Sequence, residues 1–414
     1  MPNNYRMVVL IALAGLVLSC AAPATQVTNM SSQSMLPAVK IDRHPEPSDY
    51  RGFNVYTEIP KYNPNSTDAW QVDLRSSDLT KLDLSISEGD LLYADFDSKT
   101  QWPVPDKMPA DFDWQTILEV GKDPGLGIRG LHDQGITGAG VGIAIIDNTL
   151  LVDHIEYKDR IRVYEEAEDI TGGWLQTQMH GPAVASIAVG QTVGVAPGAD
   201  LYFIATSMCQ GQYQSVDFAC LAKSVRRVIA INEGLPADHK IRVLSMSIGW
   251  ESQSKGYDEI TKAVIEAKAA GIFVISSSLF ETYGFKFHGL GRNPLADPNE
   301  FQSYEPGSWW QKRFYEQGLS ADTLLVPMDS RTTASPTGIE DYVFYRQGGW
   351  SWSIPYLAGM YALAVQVKPE ITSEEFWKTA LRTGRTIQIS HDGREYEFGV
   401  ILDPRALIEE VQNK

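Results

Sequence analysis

Cysteine, cationic charge and membrane-length apolar runs are all scarce in this 414-residue chain. Three cysteines exclude a dense disulfide scaffold. Lys and Arg total 35 against 52 Asp and Glu, and the net charge of −17 opposes attraction to nucleic acid or to an anionic membrane face. No complete calcium loop, nucleotide loop or zinc signature occurs. The first apolar run, Met7 to Leu18, is too short to span a bilayer. What is present is globular in character: 43% hydrophobic and 21% charged residues, over a length that suits one large domain with a smaller appendage.

Arg6, the apolar run and the small pair Ser19-Cys20 together make an export signal over residues 1–19. Val17-Leu18-Ser19-Cys20 also resembles the bacterial lipobox, which implies a lipid on the Cys20 thiol and cleavage before it. The alternative is an ordinary signal peptide that contains a cysteine. Ala21 to Pro47 is rich in Ala, Thr, Gln, Ser and Pro without apolar periodicity, so residues 20–49 are expected to be a flexible tether. The expected location is a membrane-anchored lipoprotein facing outside the cytoplasm, with the membrane as a partner through that lipid alone. An exported chain can oxidise Cys209 and Cys220, eleven positions apart. A local disulfide and two free buried thiols both remain open.

Residues 50–114 are expected to form an N-terminal extension. Within it Asp73-Leu74, Asp78-Leu79 and Asp83-Leu84 recur every five residues, with Ala94-Asp95-Phe96 as a degenerate copy. This resembles a pentapeptide-repeat fragment, with leucines inward and aspartates near solvent. One coil has no neighbour on which to stack its apolar row, so it must lean on something else. Trp102-Pro103 to Trp114 marks the boundary to a main domain over 115–414. There, apolar runs of strand length at 141–146, 201–205, 241–248 and 272–275 alternate with helical stripes such as Ile260, Ala263, Val264 and Ala267. That alternation predicts an α/β fold: a doubly wound, mainly parallel sheet with helices on both faces. Function in such sheets collects at the carboxyl ends of strands, where Asp147 stands. Further on, Thr372 and Glu375 have capping-box spacing, Asp392-Gly393 suits a hairpin turn, and Asp403-Pro404 suits the start of a last helix.

A hydroxyl nucleophile needs a base for its proton, and the base needs an acid that fixes its tautomer. Ser351 follows Gly348-Gly349-Trp350 and precedes a helix carrying Pro355; His180-Gly181 opens another helix; Asp147 ends a buried strand. Val141 to Asp147, His180 to Ala185, Gly194-Val195-Ala196-Pro197-Gly198-Ala199, Leu244 to Gly249 and Gly349 to Gly359 resemble, in that order, the motif series of the subtilisin-like serine proteases. The resemblance covers about Gly125 to Lys368. It implies that Asp147, His180 and Ser351 are orienting acid, general base and nucleophile of a serine endopeptidase acting on a peptide or protein substrate. It also implies a substrate-binding edge at Ser247, Ile248 and Gly249, flanked by Ser276 and Ser277. No cofactor is implied for the chemistry, and no metal ligand is assigned, although the family leaves room for a structural calcium. His154, in Asp153-His154-Ile155-Glu156-Tyr157, has the composition of a metal site, but its segment resembles the surface loop after the family's catalytic Asp and is read as solvated.

The pattern departs from the family at the oxyanion loop. Phe280 stands where the family has an Asn donor, so Ser278 and Thr282 are the nearby side chains able to donate. Asn148-Thr149, Pro182-Ala183 and the residues Trp350, Trp352, Ser353, Ile354 and Tyr356 also depart from the usual ones. Leu279 replaces a small residue and is expected to crowd the specificity pocket. A selective or weakened serine protease is the expected function; the alternatives are an inactive peptide-binding pseudoprotease or adaptor and a non-peptidase serine acyl hydrolase.

Overall fold

The four apolar runs become parallel strands because each is buried on both faces and can satisfy its main chain only against neighbours, and two less buried strands extend the sheet at one side. In the computed structural model, which describes residues 38–66, 68–209 and 216–413, the main sheet holds β1 (Lys40–Ile41), β4 (Gly142–Asp147), β5 (Ile161–Glu166), β6 (Asp200–Ala205), β7 (Ile241–Met246) and β8 (Phe273–Ser276). Their spatial order is β1-β5-β6-β4-β7-β8. Alternate residues of β4 enter different cores: Ile143 and Ile145 face the helices His180–Val189 and Trp350–Val367, whereas Ala144 and Ile146 face Phe218–Glu233 and Tyr257–Ala269. Helices thus cover both faces of a mainly parallel sheet, the doubly wound arrangement expected from the sequence. No helix among the described residues is long and apolar enough to cross a membrane.

Two smaller sheets complete the unit over residues 36–414. One contains β2 (Val72–Asp73), β3 (Ala94–Asp97), β12 (Arg331–Ala334) and β13 (Tyr342–Tyr345), in the order β12-β13-β3-β2. The other contains β9 (Lys286–Arg292), β10 (Tyr304–Pro306), β11 (Thr323–Pro327), β14 (Arg385–His391) and β15 (Arg394–Ile401). In that sheet Asp392 and Gly393, both with positive φ, turn the hairpin and set Ile387 against Phe398. Thr372 caps one late helix by accepting from the Glu375 N–H, and Asp403 caps the last by accepting from that of Ala406.

The N-terminal segment is woven into the main unit. Leu74, Leu79 and Leu84 are buried with Phe96, Phe112, Ile117, Leu118 and Phe344. Each leucine N–H donates to a second coil, at Asp95 O, Gln101 O and Lys107 O, 2.8 Å in every case. The single coil of the repeat therefore leans on residues 95–107 and, through antiparallel pairing of β3 with β13, on the main domain. Asp78 and Asp83 stay exposed and cap local turns at Thr80 and Ser85. Asp95 breaks that rule, for it is fully buried.

Residues 38–49 also depart from the expected tether. Lys40–Ile41 extends the main sheet beside β5, and Lys40 pairs with Glu165 at 2.9 Å. The unmet main-chain groups of the β5 edge account for this docking, since a strand that covers them removes an exposed edge. The export signal, Cys20 and the tether up to residue 37 lie outside the described residues.

Candidate active site

Asp147 is the last residue of β4, paired with Ala205, so its carboxylate stands at the carboxyl rim of the sheet although the residue is buried. Its main chain is fixed by the Thr206 N–H donating to Asp147 O. Oδ1 accepts from the Asn148 N–H at 2.7 Å and from His180 Nδ1, also at 2.7 Å. Asp147 is fully buried and Oδ2 has no protein partner. The His180 ring is about one fifth exposed, 22%. Burial works against the charged imidazolium, but the negative Asp147 and the hydrogen bond to it outweigh that and raise the His180 pKa above its ordinary 6.5. With Nδ1–H donated to Asp147, Nε2 is left to accept a proton.

Gly181 makes this pairing sterically possible. A Cβ at that position would meet the Asn148 main-chain oxygen, so only glycine lets the His180 helix approach the end of β4 so closely.

Ser351 lies in the first turn of the helix Trp350–Val367, where main-chain N–H groups have no intrahelical acceptor. Its neighbour Trp352 is buried, packs edge-on against His180 with centroids 5.3 Å apart, and meets Tyr345 at 5.1 Å. Trp352 thus fills the floor between the histidine and the start of the helix. No hydrogen bond joins the Ser351 hydroxyl to His180 among the described residues; the Ser351 carbonyl accepts from Ser247 Oγ at 3.0 Å.

A cavity of about 750 Å³ opens beside this site, lined among others by Gly249, Trp250, Ser277, Phe280, His288 and Trp350. Of the expected substrate-binding residues, Gly249 and Ser277 face it. Ile248 spends its N–H on Met246 O and its carbonyl on the Ser277 N–H. Ser276 is buried at the end of β8 and accepts from the Ser278 N–H. Leu279 is buried in the main core rather than crowding the cavity, because the short helix Leu279–Tyr283 turns it inward and Phe280 outward.

Phe280 is 54% exposed and the Lys286 ammonium lies 5.7 Å from its ring centre. Ser278 Oγ donates to Trp250 O and accepts from the Trp250 N–H, at 2.7 and 2.6 Å. Thr282 Oγ1 donates to Ser278 O at 3.0 Å. Both hydroxyls are therefore already engaged, that of Ser278 in tying its loop to Trp250 and that of Thr282 within its own short helix.

Several contributors to the site were not legible in sequence. His288 lines the cavity, stacks on Trp310 at 4.6 Å, and has an unpartnered buried Nδ1. Burial, reinforced by the Arg313 charge, pushes its pKa down to about 4. Asp329 accepts from the Gly348 N–H at 3.0 Å and from the Ser308 N–H and Oγ, so it pins the loop that precedes Ser351. Nothing local in their sequence marks either residue, since both are brought in by long-range pairing.

His154 requires a correction. It is fully buried, as is Tyr157, and Glu156 is nearly so, which is the opposite of a solvated loop. Nδ1 accepts from the Glu156 N–H and Nε2 donates to Asp341 O. Glu156 in turn accepts from the Thr192 and Val193 N–H groups and the Tyr342 hydroxyl. The apparent metal-ligand composition is a satisfied hydrogen-bond network.

Cys209 and Cys220 are joined in a disulfide, with Cα atoms 6.0 Å apart. Together with Asp169 they form the one close grouping of three ligating side chains among the described residues. Disulfide sulfurs do not suit calcium, a hard cation that takes six to eight oxygens. Asp169 Oδ2 instead accepts from Thr206 Oγ1, Ser207 Oγ and the N–H groups of Ser207 and Cys209.

Residues 138–279 match the profile of peptidase S8, described as the subtilase family. That range includes Asp147 and His180 and stops just before Phe280. Serine protease AprX of Bacillus subtilis (strain 168) is 26% identical over 303 residues, covering 65% of this chain and 66% of the relative. Extracellular serine proteinase of Thermus sp. (strain Rt41A) is 25% identical over 270 residues, covering 65% of this chain and 61% of the relative. The chain therefore spans slightly less than two thirds of either curated relative. A solved structure of the Prenylagaramide maturation protease PagA aligns with a TM-score of 0.46 at 15% identity, over 69% of this chain and 98% of that one. The fold places the chain among α/β proteins with a site at the carboxyl rim of a parallel sheet. Within that class, the sequence likeness is to the subtilase family over residues 138–279 and to two serine proteases over 65% of the chain.

Proposed function

We propose that this chain is a serine endopeptidase of reduced or selective activity, working on extended peptide segments outside the cytoplasm. The observation that carries the reading is the 2.7 Å bond from His180 Nδ1 to the buried Asp147, which leaves Nε2 free at the rim where the Ser351 helix begins. In the proposed reaction Ser351 Oγ attacks a peptide carbonyl while His180 Nε2 takes its proton. The tetrahedral adduct collapses as the amine leaves with that proton. Water, deprotonated by His180, then attacks the acyl-enzyme and releases the carboxylate with Ser351 restored. An extended peptide would lie beside Ser247 to Gly249, with a side chain entering the adjoining cavity.

Reduced activity follows from the oxyanion side. Phe280 has no polar group to offer, and the hydroxyls of Ser278 and Thr282 are engaged elsewhere, which leaves first-turn main-chain N–H groups such as that of Ser351. Losing one directed donor costs roughly 10²–10³-fold in turnover. The same committed hydroxyls, and the absence of a Ser351–His180 hydrogen bond, favour a second reading: a peptide-binding protein that does not cleave.

One experiment separates the two. A serine-directed fluorophosphonate is expected to label Ser351, with Ser351→Ala abolishing both labelling and hydrolysis of a peptide library. Peptide binding without labelling would establish the non-cleaving reading, and labelling without peptide hydrolysis would indicate another acyl transfer. Export is supported by the disulfide, which persists in oxidising compartments, and by the extracellular relative. Mass analysis of the amino-terminal peptide from membranes is expected to show an acylated Cys20.

A further inference from the structure

Four residues, Arg346 to Gly349, join the end of β13 to the first residue of the helix that bears Ser351. Two of the four are glycines, and Gly349 has φ 69° with ψ 171°, a conformation that side chains resist. Left to itself such a loop would sample many geometries, and Ser351 would move with it. The first three residues of the observed loop are each held from outside it. Asp95 Oδ1 accepts from the Arg346 N–H at 2.7 Å. The Trp70 N–H donates to Gln347 Oε1 at 2.9 Å, and the Trp70 indole N–H donates to Gln347 O at 3.2 Å. Asp329 accepts from the Gly348 N–H. The Ser330 N–H donates to Arg346 O at 3.2 Å. Two of these four anchors, Asp95 and Trp70, lie some 250 residues or more away in sequence, on the N-terminal segment.

The anchors are themselves fixed. Asp95 belongs to β3, whose Phe96 is paired with Phe344 of β13. The Arg346 guanidinium returns to the same segment, donating to Leu92 O and lying 5.0 Å from the Tyr93 ring centre. Arg75, paired with Asp73, approaches the Tyr345 hydroxyl at 3.5 Å, and Tyr345 packs on Trp352 beneath His180. Trp70 rests against Trp309 with centroids 6.2 Å apart.

We infer that residues 70–97 are a permanent positioning element for the nucleophile, in which Asp95 and Trp70 hold the main chain of Arg346 and Gln347 and thereby fix the turn that presents Ser351. The inference rests on the serine-hydrolase reading for its catalytic consequence. It makes the N-terminal extension part of the working site rather than a cover to be removed: separating it would strip the loop of two of its four anchors and bare the β3-facing edge of β13. Asp95 and Trp70 touch no reacting atom and act through the loop, where displacement of about 1 Å is enough to cost on the order of 10²-fold in rate.

The test compares the full exported chain with Asp95→Ala, Asp95→Asn, Trp70→Phe and Gln347→Ala. Two readouts are needed: amide hydrogen exchange over residues 345–352, and the kcat and KM of peptide hydrolysis together with the rate of fluorophosphonate labelling. Asp95→Ala, Trp70→Phe and Gln347→Ala are expected to speed exchange in that loop and to lower kcat and labelling by about tenfold or more, with KM within about twofold. Asp95→Asn keeps an acceptor oxygen and is expected to recover most of the lost rate. If Asp95→Ala does not fold, Trp70→Phe and Gln347→Ala carry the test, because both sites are near the surface. Unchanged loop exchange and unchanged kcat in folded variants would overturn the inference. A wild-type chain that neither labels nor cleaves would defeat the serine-hydrolase reading alone, while the exchange data would still decide whether the N-terminal segment holds the loop.

Discussion

On the proposed serine-hydrolase reading, one short contact between His180 and Asp147 sets the proton-transfer residue. The imidazole must be neutral to accept from Ser351, and its raised pKa places that transition above the ordinary 6.5. Activity is therefore expected to rise with pH through that raised value, giving an acid limb in kcat/KM whose midpoint lies above 6.5. Asp147→Asn removes the charge that lifts it. The variant is expected to show a lower midpoint and a turnover reduced on the order of 10⁴-fold, read from pH–rate profiles of both proteins. A profile with the same midpoint in both would break the link between the pair and the chemistry. The order of Asp147, His180 and Ser351 was legible because each stands beside small or turn-forming residues at an element boundary. Phe280 was legible as a departure, but its outward direction was not, since that depends on which side of a five-residue helix meets the core.

At the scale of elements, the repeat of leucines is the clearest case of sequence pattern becoming structure. Leu74, Leu79 and Leu84 point inward as their spacing requires, but a single coil has no second layer of its own. Residues 95–107 and β13 supply it. Leu79 is fully buried, so Leu79→Ala is expected to cost about 2–5 kcal/mol. Because β3 is hydrogen-bonded to β13, that loss should appear in the unfolding of the whole unit as one cooperative transition at lower temperature. Calorimetry showing a separate early transition, with the main one unmoved, would mean that the extension folds independently. The helix caps at Thr372 and Asp403 and the Asp392-Gly393 turn were local signals and could be read directly. The edge pairing of Lys40–Ile41 was not, because two residues carry no period and their strand conformation is imposed by β5.

For the whole molecule, the buried Asp95 couples stability to pH. Burial raises its pKa to about 8, against the lowering effect of Arg75 and with a smaller push from Asp73. The unpaired Oδ2 is in keeping with a carboxyl that retains its proton. The unfolded chain loses this proton near the ordinary 3.8 while the folded chain keeps it up to about 8. The folded state therefore binds more protons across that window, and this group's contribution to stability falls as pH rises through it, then levels off. The slope from one such group is at most about 1.4 kcal/mol per pH unit. Denaturant unfolding of the wild type and Asp95→Asn across pH 4–9 is expected to show a flatter dependence in the variant. Equal slopes would remove Asp95 as the source.

The sequence by itself determined four strands of the main sheet and the helices that alternate with them, the element-boundary positions of Asp147, His180 and Ser351, and the inward face of the leucine repeat. These follow from periodicity, small residues at close approaches and turn chemistry, all of which act within a few residues. Tertiary structure decided the rest. It buried His154 and Asp95, turned Leu279 into the core, docked Lys40–Ile41 on the sheet, and brought Trp70, Asp95 and Asp329 to the loop before Ser351. Each of these depends on contacts between residues tens to hundreds of positions apart, where burial and hydrogen-bond satisfaction, rather than local pattern, select the partner.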